Sequence, residues 1–226
     1  MDGGFIAMSE VIWVIGNPLL EEVVSRHTSL AVVGQPEDID GFPALIIDPC
    51  LGPPAKKRRQ LEMLWGAYPG SVVWTASTAV LLARQEQWSK ERLHLLGFDP
   101  WLMEIDAKRM TIVKGDAVEP NVFKHFRDWE WDPIEDSIGG VFARVIAPLV
   151  NEAMAYHAFG LDDAEIDRAI RRGLNHPRGP LEWAAKFGFS NIGLMLEAMR
   201  DAFGDGYLPH PEIRRHMARE GVDWNA

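Results

Sequence analysis

Cysteine is nearly absent. Cys50 is the only one in 226 residues, which rules out an internal disulfide framework and fits a reducing, cytoplasmic setting. Long hydrophobic runs are missing too. The longest apolar stretch, residues 72–83, contains Thr75, Ser77 and Thr78. It falls short of the roughly 20 residues of a spanning helix, so no membrane partner is expected. The start, Met1-Asp2-Gly3-Gly4, has neither the basic residues nor the apolar run of a signal peptide. Met8 is an alternative natural start, with residues 1–7 as an extension. Positive charge is in deficit: 23 Lys and Arg stand against 33 Asp and Glu, for a net charge of -10. Phosphate backbones repel such a chain at long range, which argues against nucleic acid as a partner. His157, His176, His210 and His216 show no tight ligand spacing, so no metal is expected. Internal repeats and low-complexity tracts are also missing.

What is present suits a folded core. Apolar residues make up 47% and charged residues 25%, a balance that argues against disorder. The first half alternates strand and helix signals. Short apolar runs at Val11–Ile15, Leu30–Val33, Ala44–Ile47 and Ser71–Thr75 read as buried strands. Arg92–Leu96 and Met110–Val113 read as further strands. Pro18 starts a helix over residues 19–26, and Pro53-Pro54 opens one from Ala55 to about Tyr68. Strands alternating with helices predict a mainly parallel wound sheet.

The period then changes. Asp162 is an N-cap, with Glu165 at capping-box spacing. Ile166, Ala169 and Ile170 form the apolar stripe of that helix. Arg171 and Arg172 suit its C-terminal end, and Gly173 suits the left-handed cap. Pro180 starts another helix, which Gly188 ends. Ile192, Met195, Leu196, Met199 and Phe203 keep helical spacing. From Val141 onward the chain reads as all helix. The expected organisation is α/β plus all-α: a reduced Rossmann-like domain over residues 1–135 and a helical domain over 136–226, with the boundary between Trp129 and Gly140.

An ordered set of motifs in residues 139–188 resembles the C-terminal domain of 3-hydroxyacyl-CoA dehydrogenases. The matching stretches are Arg144-Val145-Ile146-Ala147-Pro148-Leu149-Val150-Asn151-Glu152-Ala153, Ile166-Asp167-Arg168-Ala169, and Gly173 through Pro177 to Gly179-Pro180-Leu181-Glu182. Weaker similarity reaches back to about Ala44. Ala44-Leu45-Ile46-Ile47-Asp48 resembles the family's central strand, and Lys57 matches a lysine near the cofactor ribose. Thr75-Ala76-Ser77-Thr78-Ala79 resembles a Thr-Asn-Thr-Ser-Ser turn, and Phe98-Asp99-Pro100 the end of His-Phe-Phe-Asn-Pro.

The resemblance implies oxidation of 3-hydroxyacyl-CoA by NAD. In the family a histidine takes the hydroxyl proton, a glutamate orients that histidine, and a serine and an asparagine hold the substrate oxygen. Such chemistry needs a base within hydrogen-bond reach of the alcohol and a nicotinamide against the same carbon. This chain departs from the pattern. Anchoring on Phe98 and Pro100 puts Leu96 at the histidine position and Ala143 at the asparagine position. Glu104 matches the orienting glutamate after a gap, or is a surface glutamate, and Thr78 keeps a hydroxyl at the serine position, where it reads either as a substrate contact or as a turn-capping hydroxyl. His94 is the one substitute base beside Leu96. It shares a strand face with Leu96 but stands about 6.6 Å along the strand, beyond hydrogen-bond reach. Otherwise it is a structural histidine.

The cofactor end is altered as well. Where a dinucleotide fold wants G-x-G-x-x-G, only Gly16 remains, and Leu19 and Glu21 replace small residues. The carboxylates of Glu21 and Glu22 help the helix but repel a pyrophosphate. Lys56-Lys57-Arg58-Arg59 reads either as a phosphate contact for CoA or a cofactor, or as a solvated helix face. Cys50 reads as a buried thiol, and Trp129, Trp131, Trp183 and Trp224 as packing residues. Two functions follow: a 3-hydroxyacyl-CoA dehydrogenase-like protein with weak or no NAD-dependent activity that keeps the fold and binds an acyl-CoA or a partner enzyme, or an active enzyme with a rearranged site. A homodimer through the helical domain is expected, with the stripe from Ile192 to Phe203 supplying apolar contacts.

Overall fold

The structure, a computed structural model, describes residues 10–114, 123, 125–126 and 128–226. Met8 and the seven-residue extension before it lie outside the described residues. Seven strands form one sheet in the order β2-β1-β3-β4-β5-β6-β7. They are β1 (Val11–Val14), β2 (Ala31–Val33), β3 (Leu45–Asp48), β4 (Val72–Ala76), β5 (His94–Phe98), β6 (Arg109–Lys114) and β7 (Glu130–Pro133). The first five are parallel, β6 runs antiparallel to β5, and β7 runs parallel to β6.

A full dinucleotide fold has the order 3-2-1-4-5-6. Here β2 is the edge of the described sheet. The link from β2 to β3 holds only the 3-10 turn Pro36–Asp38, so the outer strand and its helix are gone. β3 takes the place next to β1 that the fourth strand has in the full fold.

Helices cover both faces of the sheet, as apolar parallel strands require. Helix α1 (Pro18–His27) starts where Asn17 Oδ1 accepts the Leu20 N–H at 3.0 Å. It buries Leu20, Val23 and Val24 against Ile12, Val14, Trp74 and Leu96. On the other face, α2 (Pro54–Ala67) and α3 (Leu82–Ser89) pack Leu61, Leu64 and Leu82 against Trp13, Ile46, Val73 and Leu95. The short α4 (Pro100–Glu104) follows β5, and Asp99 Oδ1 caps it by accepting the Trp101 N–H at 2.9 Å.

The helical part comprises α5 (Phe142–Ala158), α6 (Asp163–Leu174), α7 (Pro180–Phe187), α8 (Phe189–Phe203) and α9 (Pro211–Arg219). The motif residues explain how these helices meet. Asp167 on α6 reaches the N-terminus of α7, where it accepts the Leu181 N–H at 2.8 Å and the Glu182 N–H at 3.1 Å. Gly179 permits this approach, since a Cβ there would lie 2.1 Å from Asp167 Cγ. Glu182 reaches back to accept the Gly179 N–H at 2.9 Å. Trp101 of α4 stacks on Phe187 of α7 with ring centroids 4.6 Å apart, which joins the sheet part to the helical part.

Several local expectations need correction. Helix α6 runs one residue past Gly173, and Asn175, not Gly173, takes the left-handed cap at φ +52°; asparagine tolerates that region. Strand β5 spans His94–Phe98 instead of Arg92–Leu96. The polar strand β7 lies inside the stretch expected to be a boundary. The stripe on α8 does not face a partner. Ile192, Met195, Leu196 and Met199 are fully buried in the chain's own helical core, and only Phe203 is half exposed. Exposed apolar side chains lie elsewhere, among them Val145 and Tyr156 on α5 and Phe159 directly after it, 83% exposed.

Candidate functional site

A cleft of about 530 Å³ opens at the carboxyl ends of β1 and β3. These two strands flank the point where the chain's progress across the sheet reverses, the usual place for a ligand in a wound sheet. Ile15, Gly16 and Asn17 form one wall, and Cys50, Leu51 and Gly52 another. Lys56 and Arg59 of α2, Glu104 of α4 and the segment from Glu220 to Asp223 complete it. Gly16 takes φ +59°, and nothing lies within 4 Å of a Cβ added there, so the backbone is open to a ligand.

Gly16 and Glu104 therefore meet in one cleft, through Asn17. While its Oδ1 caps α1, Asn17 Nδ2 donates to Glu104 Oε1 at 2.9 Å. Burial pushes the Glu104 carboxyl above its ordinary range, against the pull of the Asn17 hydrogen bond and of Lys186. The basic run divides. Lys56 and Arg59 line the cleft, and Arg58 pairs with Glu62 on the helix surface at 2.9 Å. Lys57 is turned inward and is fully buried, contrary to the cofactor-facing position the resemblance implies. Its ammonium bonds Asp48 Oδ2 at 2.5 Å and the Cys50 carbonyl at 2.8 Å. Gln60 donates to the same aspartate at 2.8 Å, so the pair is fully bonded inside the sheet end. Burial, followed by the charge of Asp48, raises the Cys50 thiol despite Lys57 and Lys56. A raised thiol is a poor nucleophile.

The other sequence candidates lie apart from the cleft. His94 begins β5, whereas both ligand-facing loops follow the strands' carboxyl ends. Asp99 is five residues on, about 16 Å at roughly 3.3 Å per residue. Leu96 is fully buried on the α1 face, among Trp74 and Phe98. Thr78 lies in a separate small pocket with Asp99, Thr111, Ser137 and Gly140. Ala143, at the start of α5, turns its N–H toward Asp99. Thus Thr78 and Ala143 converge on Asp99, not on Leu96 or His94.

Asn17 and Asp99 were not singled out from sequence. Both carried a visible signal, a side-chain acceptor directly before a proline that opens a helix. That pattern announces a cap and does not say what the remaining polar atoms face.

NAD is the cofactor that the resemblance makes plausible, and the residues here fit it poorly. In the first turn of α1, Pro18 has no N–H, the Leu20 N–H bonds Asn17 Oδ1, and the Glu21 N–H bonds the Asn17 carbonyl at 3.0 Å. Two of the amides at this helix start, those of Leu20 and Glu21, are thereby engaged. At the end of β2, a Cβ on Gly34 would lie 2.3 Å from Glu21 Oε1, so a carboxylate covers the strand end.

Comparison with known proteins finds likeness in the helical part by sequence and across the chain by fold. Residues 139–222 match the family described as 3-hydroxyacyl-CoA dehydrogenase, C-terminal domain. The chain is 35% identical over 84 residues to a 3-hydroxybutyryl-CoA dehydrogenase of Clostridioides difficile, covering 36% of this chain and 30% of that protein. It is 36% identical over 89 residues to a 3-hydroxyadipyl-CoA dehydrogenase of Escherichia coli, covering 38% of this chain and 19% of that protein. The matched stretch thus spans under a third of these relatives' own length. Among solved structures, FadB2 of M. tuberculosis aligns with a TM-score of 0.66 at 16% identity, over 95% of each chain. The (S)-3-hydroxybutyryl-CoA dehydrogenase PaaH1 of Ralstonia eutropha aligns with a TM-score of 0.63 at 17% identity, over 94% of each. Those two likenesses establish the fold, a Rossmann-type sheet followed by helices, across nearly the whole chain. In its helical part, residues 139–222, the chain is similar to the C-terminal domain of 3-hydroxyacyl-CoA dehydrogenases.

Proposed function

We propose that this protein is a 3-hydroxyacyl-CoA dehydrogenase-like protein of acyl-CoA metabolism that binds an acyl-CoA or a related small molecule and carries out little or no NAD-dependent oxidation of 3-hydroxyacyl-CoA. The observation behind this reading is Leu96. It stands at the position that resembles the family's base, and its side chain is sealed in the sheet core. A leucine neither accepts a proton nor, at that place, meets a ligand. Loss of a positioned base removes about 10²- to 10⁴-fold in rate. Ala143 removes a second polar contact, and the poor fit to NAD adds to the loss.

The cleft remains suited to an anionic ligand. Lys56 and Arg59 bring positive charge to its rim, which supports contact with the phosphates of CoA. A homodimer through the helical part belongs to the same reading, with the apolar face of α5 as the contact in place of α8. So does a cytoplasmic setting, supported by the single cysteine. No helix among the described residues is long and apolar enough to cross a membrane.

A second reading, an active enzyme with a rearranged site, has one observation in its favour. Glu104 keeps a raised carboxyl in the cleft next to Gly16. Titration with NADH and acetoacetyl-CoA, followed by absorbance and by heat, separates the two. Heat with acetoacetyl-CoA and no loss of NADH absorbance supports the first. Sustained NADH loss supports the second.

A further inference from the structure

A second pocket lies on the sheet face opposite α1, between α2 and the end of α3. Its volume is about 190 Å³, and it shares no lining residue with the cleft. Drug-sized sites begin at roughly 300 Å³, so this one suits a group of a few heavy atoms. Arg58, Glu62 and Trp65 are four and three residues apart and share one face of α2. Trp88 and Ser89 end α3. Lys90 and Glu91 then take left-handed backbone, at φ +50° and +60°. The turn closes with the Arg92 N–H donating to the Ser89 carbonyl at 3.0 Å. It brings the Arg92 guanidinium over Trp65, 4.1 Å from the ring centre.

The lining joins positive charge to apolar walls. Trp65 and Trp88 are half-buried. Trp65 Nε1 is buried and has no hydrogen-bond partner among the described residues, a state that proteins seldom leave without a purpose. Glu62 is the one carboxylate among the described lining residues, and Arg58 holds it at 2.9 Å. Lys90 and Arg92 remain as an excess of positive charge, in a chain whose net charge is -10. The negative end of α3 accounts for Lys90. It does not account for an arginine placed over an indole whose N–H is unmatched. Stacking on an aromatic ring holds a guanidinium in place and leaves its N–H edge for a carboxylate.

We propose that this pocket binds a small carboxylate on an apolar stem, with the carboxylate held by Arg92, Lys90 and Trp65 Nε1 and the stem against the rings of Trp65 and Trp88. The carboxylate supplies the acceptor that the indole N–H lacks, and the planar guanidinium matches it by shape. Inorganic phosphate gains the charge contact but nothing from the two indole walls. The group comes from a free acid or from an acidic side chain of a partner. The pocket is separate from the cleft, so the proposal does not rest on the function proposed above.

The test is an NMR titration of the full chain that follows the indole N–H of Trp65, identified by its loss in Trp65→Phe. The probes are butyrate, 1-butanol, inorganic phosphate and a blocked glutamate. Butyrate is expected to move the signal to saturation, whereas 1-butanol and phosphate at the same concentration leave it in place. Arg92→Met keeps an apolar stem over the ring and is expected to weaken butyrate about tenfold, a contact of ordinary charged strength. Lys90→Gln also weakens it, and decides if Arg92→Met does not fold. Blocked glutamate binding as well as butyrate upholds the site and assigns the group to a partner's side chain; weaker binding upholds it and assigns a free acid. An equal shift with 1-butanol overturns the role of charge, and an equal shift with phosphate overturns that of the indole walls. A Trp65 signal unmoved by butyrate, or an affinity unchanged in the folded Arg92→Met and Lys90→Gln variants, overturns the proposal.

Discussion

The helical part and the sheet part preserve different things. In the helices, the residues that carry the family likeness hold backbone in place. Asp167 caps α7, Gly179 lets it approach, and Glu182 closes the turn. The positions that resemble chemical groups hold packing residues, Leu96 in the sheet and Ala143 at the start of α5 where the helices meet it, both fully buried. Among the described residues, β2 is the edge of the sheet, with no outer strand beside it. Sequence likeness here follows the demands of packing and capping, so it is strongest where it says least about the reaction.

Four changes break or sharpen this comparison. The largest effect is expected in the sheet part. Lys57→Met leaves Asp48 charged and unpaired in the interior, at a cost of about 3–5 kcal/mol. Equilibrium urea unfolding measures it, and a loss below about 1 kcal/mol would mean that Lys57 is free to leave the core.

The second concerns Asp99. Its folded carboxyl sits at about 7, above the ordinary unfolded value of about 3.9. The folded state therefore holds a proton that the unfolded state has released between those values. Stability is fully present below about pH 4 and falls as pH rises through about 7, by about 4 kcal/mol at most. Asp99→Asn flattens that slope. A slope unchanged in the variant would assign the pH dependence to another group.

The third returns to the helices. Asp167→Ala removes the acceptor of two amides at the start of α7 and is expected to cost about 2 kcal/mol. If Lys57→Met and Asp167→Ala changed ligand binding while stability held, the division between chemistry and packing would be misplaced. The smallest effect belongs to His94→Ala. At the far end of β5 from the cleft, it is expected to leave ligand binding unchanged and to cost under about 1 kcal/mol, judged by calorimetry and melting.

Much of the fold was legible in the sequence. Buried parallel strands are continuous apolar runs, and β1, β3 and β4 stand out for that reason. Strand β7 did not, because Glu130-Trp131-Asp132-Pro133 is polar and its residues are exposed or half-buried. Helices α3 and α4 are too short to carry the long apolar stripe that announces a helix. The site was less legible. Gly16 and Glu104 lie 88 positions apart, and it takes the Asn17 bridge to show that they share a cleft. The anchor at Phe98 and Pro100 located the right strand end but not the face. Leu96 points into the α1 side, and the carboxyl that meets Thr78 is Asp99, within the anchor itself. A short motif gives order along the chain, whereas the side a residue faces depends on strand register.

The central proposal is that a chain whose helical part resembles the 3-hydroxyacyl-CoA dehydrogenases carries out little or no hydride transfer. It is tested most directly by mixing the protein with NADH and acetoacetyl-CoA and following NADH absorbance as protein concentration is raised. The account predicts a rate indistinguishable from that without protein. A steady loss of NADH in proportion to the protein added would contradict it.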